Sequence, residues 1–344
     1  MRHPWLALAG VLWLCSCRPN VSLVDREIDA GIRASMDTLN SQVLDGVGKH
    51  NPALIQKVSS DSLWTKDGQA INDQVRHNTK SFDPTHFKVR NQFYLYHTGS
   101  DSVTTVRRFK GSEHDYIVTL QPQSAETAVT FGYYNAIPET FALTTAYGRH
   151  DGEWKLDVFQ LGLLKIMNGD AIDWYHKAQQ DFDQGFLADA GNDLLLCEEL
   201  LRPAGNYIRY VKEKEINDLD IKLTSVITHR YPLPLTDSLV RTRPRIFKIS
   251  LHRTDEGYFP FILYNTHLDL TDSAALSKEC SAVCAHLGDL FKGLDQDKRF
   301  LFFRAYRDIP GDDTADGVYR EFRREGRPPV GDTTAPAQSA SNFR

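Results

Sequence analysis

At 344 residues the chain is long enough for two or three domains of ordinary size, and a formal net charge of -5 gives it no basic excess to offset phosphate, which argues against nucleic acid as a partner. Hydrophobic residues at 41% and charged residues at 25% are the values of a folded soluble protein rather than of a disordered chain.

Met1, Arg2 and His3 lead into a mostly apolar run from Pro4 to Leu14, which closes on Leu14-Cys15-Ser16-Cys17. A spanning helix needs about 20 apolar residues, and this run has roughly half that before Ser16, Arg18, Pro19 and Asn20 end it. The order of basic start, greasy segment, small residue and cysteine is that of a cleaved bacterial export signal. Leu14-Cys15-Ser16-Cys17 resembles the lipobox of bacterial lipoproteins. That resemblance implies that residues 1–16 are removed, that Cys17 is acylated and becomes the mature N-terminus, and that residues 17–24 tether a soluble body to a membrane. Cys15 departs from the usual small or β-branched residue of the family, and a plain secretory signal cut near Ser16 matches the same leading features. Arg18, Pro19 and Asn20 follow Cys17, where the surface-export rule of some bacteria asks for acidic residues, so the expected place is the cell envelope, facing the periplasm. Of the later cysteines, Cys280 and Cys284 sit one turn apart on an expected helix, and with Cys197 they define no disulfide framework. Cys280, Cys284 and His286 lack a second ligand pair for zinc, so no metal is expected.

From Asp25 to Val47, Ile28, Ile32, Met36, Leu39, Val43 and Val47 recur in steps of three and four and predict a helix with one apolar face. Asn51-Pro52 starts a second helix with Leu54, Ile55 and Val58, and a polar stretch through Gly68 and Asn72 to Pro84 leads out of the helical region. Strands are expected at 87–96, 102–109, 116–120, 128–134, 141–147 and 154–159, with Asp151-Gly152 turning the last hairpin. Helices followed by a meander predict an α+β domain at 25–166, helices packed on a curved antiparallel sheet. His150-Asp151-Gly152-Glu153-Trp154-Lys155-Leu156 resembles the last hairpin of the nuclear transport factor two-like (cystatin-like cone) superfamily. The resemblance implies a cone whose mouth Tyr94, Tyr96, Tyr133 and Tyr147 would line, and a superfamily holding both enzymes and adaptors.

Between 167 and 230 the period is helical. Trp174, Ala178, Gly185 and Ala190 resemble one tetratricopeptide unit; Cys197, Asp181 and Pro203 depart from it, and a single unit is expected to act as a helical bridge rather than a peptide-binding array. A charged helix from Tyr207 to Ile227 follows, with Ile208, Val211, Ile216, Leu219 and Leu223 as its buried stripe. Residues 231–310 read as a small β-β-α-β domain, and 311–344 as a polar, largely disordered tail in which Arg320, Arg323, Arg324 and Arg327 lie on a solvated helix face.

Chemistry requires groups that meet in space. His114-Asp115 fails as a dyad within a strand, because neighbours point to opposite faces. Asn265, His267 and Asp269 alternate on an expected strand, which makes His267, oriented by Asp269, the one catalytic candidate. No phosphate loop, nucleophile elbow or dinucleotide fingerprint is present, and no cofactor is implied. The sequence therefore reads as a non-enzymatic, membrane-tethered envelope lipoprotein that binds a membrane through Cys17 and an envelope protein or ligand through its folded body. The alternative is a small-molecule hydrolase or isomerase working in the cone or around His267.

Overall fold

The computed structural model describes residues 21–77, 82–97, 105–109, 114, 116–120, 122, 124–136, 138–310 and 318–327. The signal 1–16, Cys17 and the last part of the tail lie outside the described residues. The fold is α+β, and contacts divide it into two units: Met1–Val106 with Thr119–Gly132 and Thr144–Phe159, and Arg107–Val118 with Tyr133–Leu143 and Gln160–Arg344.

In the first unit β1 (Val21–Val24) precedes α1 (Ala30–Gly48), α2 (Pro52–Val58), α3 (Asp61–His77) and β2 (Lys88–Tyr96). β3 (Thr105–Phe109) and β4 (Tyr116–Leu120), which fall mostly in the second unit, are followed by three long strands divided between the two units, β5 (Glu126–Asn135), β6 (Glu139–His150) and β7 (Glu153–Ile166), and the sheet order is β1-β2-β5-β6-β7. Two expectations are corrected here. The stretch 17–24 is not all tether, because Val21–Val24 pairs antiparallel with β2, Val21 opposite Tyr96 and Val24 opposite Phe93. The first helix starts at Ala30 rather than Asp25, because the Asp29 carboxylate caps the amides of Gly31 and Ile32, while Asp25 turns away to accept from the Gln92 amide at 2.8 Å. The polar stretch around Gly68 belongs to α3, whose Leu63, Ile71 and Val75 are buried. The Asp151-Gly152 turn forms as read: both residues have positive φ (49° and 86°), as a two-residue hairpin turn between twisted strands requires.

The second unit holds α4 (Ala171–Gln184), α5 (Leu187–Glu199), β8 (Ile208–Tyr210), α6 (Glu213–Arg230), β9 (Leu235–Thr236), β10 (Arg245–Thr254), β11 (Gly257–Asn265), α7 (Ser273–Leu290), β12 (Phe300–Tyr306) and β13 (Tyr319–Glu325). Asp170 and Asp173 form a reciprocal capping box at the start of α4, and Gly185, at φ 77°, ends it; Ala178 and Ala190 meet fully buried in the α4–α5 hairpin. The helix expected from Tyr207 begins only at Glu213, because 208–210 is recruited as a strand opposite β4, and Val211 is left 48% exposed. Ile216, Leu219 and Leu223 are buried as expected.

The C-terminal sheet has the order β13-β12-β11-β10-β9, with β11 and β12 parallel across the α7 crossover. On one face Ile262, Tyr264, Leu301, Phe303 and Ala305 pack under Leu276, Cys280, Val283 and Leu287 of α7. On the other face Phe259, Phe261, Phe300 and Phe302 are roofed by cations: Arg323 lies 3.5 Å from the Phe300 ring centroid and Arg304 4.8 Å from that of Phe261. Arg304 is also paired with Glu321 at 2.7 Å, and Arg299 with Glu256 at 2.9 Å, so these guanidiniums cover apolar surface while remaining neutralised. The arginine-rich stretch in 311–344 is thus an edge strand and not a helix face in a tail. Its period is two: Phe322 joins the α7-side core, Arg320 and Arg324 donate to the Leu270 and Ser277 carbonyls, and Arg323 turns to the aromatic face.

Candidate functional site

β11 ends at Asn265, so the alternation that made His267 and Asp269 a dyad does not reach them. The Thr266 hydroxyl accepts from the Leu268 amide, and the Asp269 carboxylate accepts from both the amide and the hydroxyl of Thr271, which turns the chain toward α7 and holds that carboxyl low. His267 stands exposed in this turn. Cys280 is buried in the α7 core and burial pushes its thiol up to about 12; Cys284 is raised for the same reason, opposite to what a thiolate ligand needs.

The interior beneath α1 is occupied by a closed polar network. Asn40, 6% exposed, donates to Thr130 Oγ1 at 2.8 Å and accepts from Thr145 Oγ1 at 2.8 Å and from the Tyr147 hydroxyl at 2.7 Å. Tyr147, one of the expected liners, is fully buried and its phenol is raised by burial. Tyr94 donates to Glu126 at 3.0 Å, and burial together with that carboxylate pushes its phenol up to about 12. These groups satisfy one another.

Two further clusters are built from turn and cap chemistry. His114, Asp170 and Asp173 bring ligand-type atoms within 4.8 Å of one another. Asp170, however, accepts from the amides of Ile172 and Asp173, and Asp173 from that of Asp170, so both carboxylates serve the capping box of α4, with His114 closing on it at 2.7 Å. Ser124, His150 and Asp157 converge over Gly148, yet His150 reaches Asp157 through Nε2 at 2.9 Å, and the Ser124 hydroxyl donates to the Glu126 carbonyl and accepts the Arg149 amide. A serine so committed to neighbouring backbone is not poised as a nucleophile.

A concave feature with unsatisfied chemistry lies in the second unit, between α5 and α6. A cleft of about 220 Å³ opens there, floored by Leu194, Leu223, Ile227, Tyr231, Ile249 and Phe291. Its shape follows from the sequence. Gly191 puts no side chain on α5 where a Cβ would stand 3.1 Å from Ile227, so the helices meet at that level, while Leu195, one turn on, is 45% exposed beside the opening. Leu233, 38% exposed, continues the apolar rim. Four polar residues break the lining, Asn192, Glu198, Asp220 and Thr224, and the Thr224 hydroxyl donates to Asp220 at 3.2 Å. Asn192 is 5% exposed and its Nδ2 has no acceptor. Glu198 and Asp220 stand on the rim, and the Glu198 carboxyl is raised by burial and by the nearby Asp220.

Behind α5, away from this lining, a buried ionic network fixes the hairpin. Lys177 pairs with Asp193 at 2.6 Å and with Asp181 at 3.5 Å, and Lys298 holds Asp189 at 3.1 Å. Three carboxyls share two ammonium groups, and Asp193 is pushed up to about 7, by burial first and then by the adjacent Asp181, against the pull of Lys177.

Fold and cleft together define an α+β protein with an apolar, acid-rimmed groove between two helices. No protein-family model matches the chain, and no curated protein or solved structure is significantly similar to it. Sequence reasoning treated the α4–α5 hairpin as a bridge and missed the cleft. The signals available to it were Gly191 in the middle of α5 and two acids, Glu198 and Asp220, close to the buried stripes of α5 and α6.

Proposed function

We propose that the protein is a membrane-tethered envelope lipoprotein that acts as a binding module, anchored through lipid on Cys17 and engaging a protein partner through the α5–α6 cleft. The cleft carries the reading: it is apolar, open, and lined by a buried amide with no acceptor and by two carboxylates that no cation among the described residues pairs with. Support against catalysis comes from the Asn40, Ser124 and His114 clusters, whose reactive groups are consumed by internal bonds. Among the described residues no helix is long and apolar enough to cross a membrane. β1 starts at Val21, four positions after Cys17, and an extended spacer of that length reaches ~14 Å. The first unit then stays close to the bilayer, and the partner is a membrane-associated protein.

Two readouts test this. Growth with a clickable fatty acid labels the wild-type protein, and Cys17→Ala abolishes the label and releases the protein from the membrane fraction; a label that survives the substitution overturns the tether. The detergent-solubilised wild type co-purifies with one stoichiometric partner, and Leu195→Arg at the cleft mouth, folded as wild type, loses it. Retention of the partner by Leu195→Arg overturns the cleft.

A further inference from the structure

The cleft carries enough chemistry to specify its occupant, on the reading that the chain is a binding module. A volume of about 220 Å³ falls below the usual 300–1,000 Å³ of small-molecule and cofactor sites, and suits one large apolar side chain inserted from a partner segment. Asn192 adds a direction. An amide donor buried without an acceptor is costly to leave unpaired, and a peptide carbonyl running past the floor removes that cost. The rim adds a sign. Among the described residues no lysine or arginine stands within ion-pair distance of Glu198 or Asp220, whereas Glu213 and Asp218, also on α6, are paired with Arg202, Arg209 and Lys214. Glu198, whose carboxyl is raised by burial and by the neighbouring charge of Asp220, is relieved by a cation placed between the two and opposed by an anion. An uncharged apolar ligand leaves both carboxylates without a cation, Asp220 keeping only the Thr224 hydroxyl, and an acidic segment is repelled.

We propose that the α5–α6 cleft receives a basic protein segment: a leucine-sized side chain enters the apolar floor, the adjoining backbone carbonyl accepts from Asn192, and a flanking lysine or arginine lies between Glu198 and Asp220. The segment is recognised as a short run in which an apolar residue is bracketed by cations. Exposed Leu195 and Leu233 extend the apolar contact on either side of the anchor.

Fluorescein-labelled pentapeptides in one frame test this by anisotropy on the full mature chain in detergent: Gly-Lys-Leu-Lys-Gly, Gly-Ser-Leu-Ser-Gly, Gly-Glu-Leu-Glu-Gly and Gly-Lys-Ala-Lys-Gly. The Lys-Leu-Lys peptide is expected to bind at least tenfold tighter than the Glu-Leu-Glu and Lys-Ala-Lys peptides. Glu198→Gln combined with Asp220→Asn, two rim changes that leave the floor intact, is expected to cut its affinity about tenfold. Equal affinity for the Lys and Glu peptides, or no effect of the double variant, overturns the charge assignment while leaving the apolar cleft in place. Binding of none of the leucine peptides overturns the cleft as a peptide site. Undiminished binding of Lys-Leu-Lys to Leu195→Arg places the site elsewhere and overturns the proposal as a whole.

Discussion

Replacing Asn40 tests whether the interior under α1 is a structural core or a reserved active site. In Asn40→Ala three side-chain bonds vanish together, those to Thr130, Thr145 and Tyr147, and the hydroxyls stay buried. At about 1 kcal/mol net for each bond, with roughly one more for lost packing, the expected loss is ~4 kcal/mol. Tyr147→Phe removes one donor and leaves Asn40 Oδ1 bonded to Thr145, so its cost is ~1 kcal/mol. Urea denaturation of both variants and of the double variant measures this, with the coupling between Asn40 and Tyr147 read from the cycle. Groups held ready for substrate carry strain or unmet polarity, and removing them commonly stabilises a protein. An Asn40→Ala variant as stable as wild type, or more stable, would refute the account of a satisfied core and revive the enzyme reading.

Further outcomes follow from the same geometry. The folded state holds the Asp193 carboxyl near 7, well above its ordinary 3.8, so it binds more protons than the unfolded chain between those values and stability falls as pH rises through that window. Urea midpoints at pH 5, 6, 7 and 8 are expected to decline in wild type and to flatten in Asp193→Asn; parallel profiles would contradict the assignment. Asp170→Ala strips the amides of Ile172 and Asp173 of their cap and is expected to cost ~1 kcal/mol, measured by the same denaturation. Gly152→Ala forces an alanine to φ 86° in the β6–β7 turn where nothing crowds its side chain, so the ~1 kcal/mol loss expected comes from backbone strain alone.

The parts of the fold readable in the sequence are those where one physical signal dominates. Asp151-Gly152 could adopt the turn it was assigned, and the α4–α5 hairpin follows from Asp170, Gly185 and the two small residues Ala178 and Ala190. Misreadings arose where tertiary pairing overrode local pattern. Val21–Val24 and 208–210 are strands only because β2 and β4 offer them an edge. The run Tyr319–Glu325 carries a single apolar residue in its middle, and its strand character comes from pairing with β12 and from the phenylalanines its arginines cover. His267 was promoted by an alternation that Thr266 and Asp269 end with turn bonds. The cleft was invisible for a different reason: Asn192, Glu198 and Asp220 are ordinary helix residues until α5 and α6 are placed side by side.

Photo-crosslinking in living cells tests the central claim most directly. With a benzophenone amino acid in place of Leu195 at the cleft mouth, and another in place of Val89, 49% exposed on β2, the account predicts one discrete adduct from position 195 and none from position 89, with the adduct lost when Cys17→Ala frees the protein from the membrane. The same adduct from both positions, or an adduct from position 195 that persists without the lipid, would contradict it.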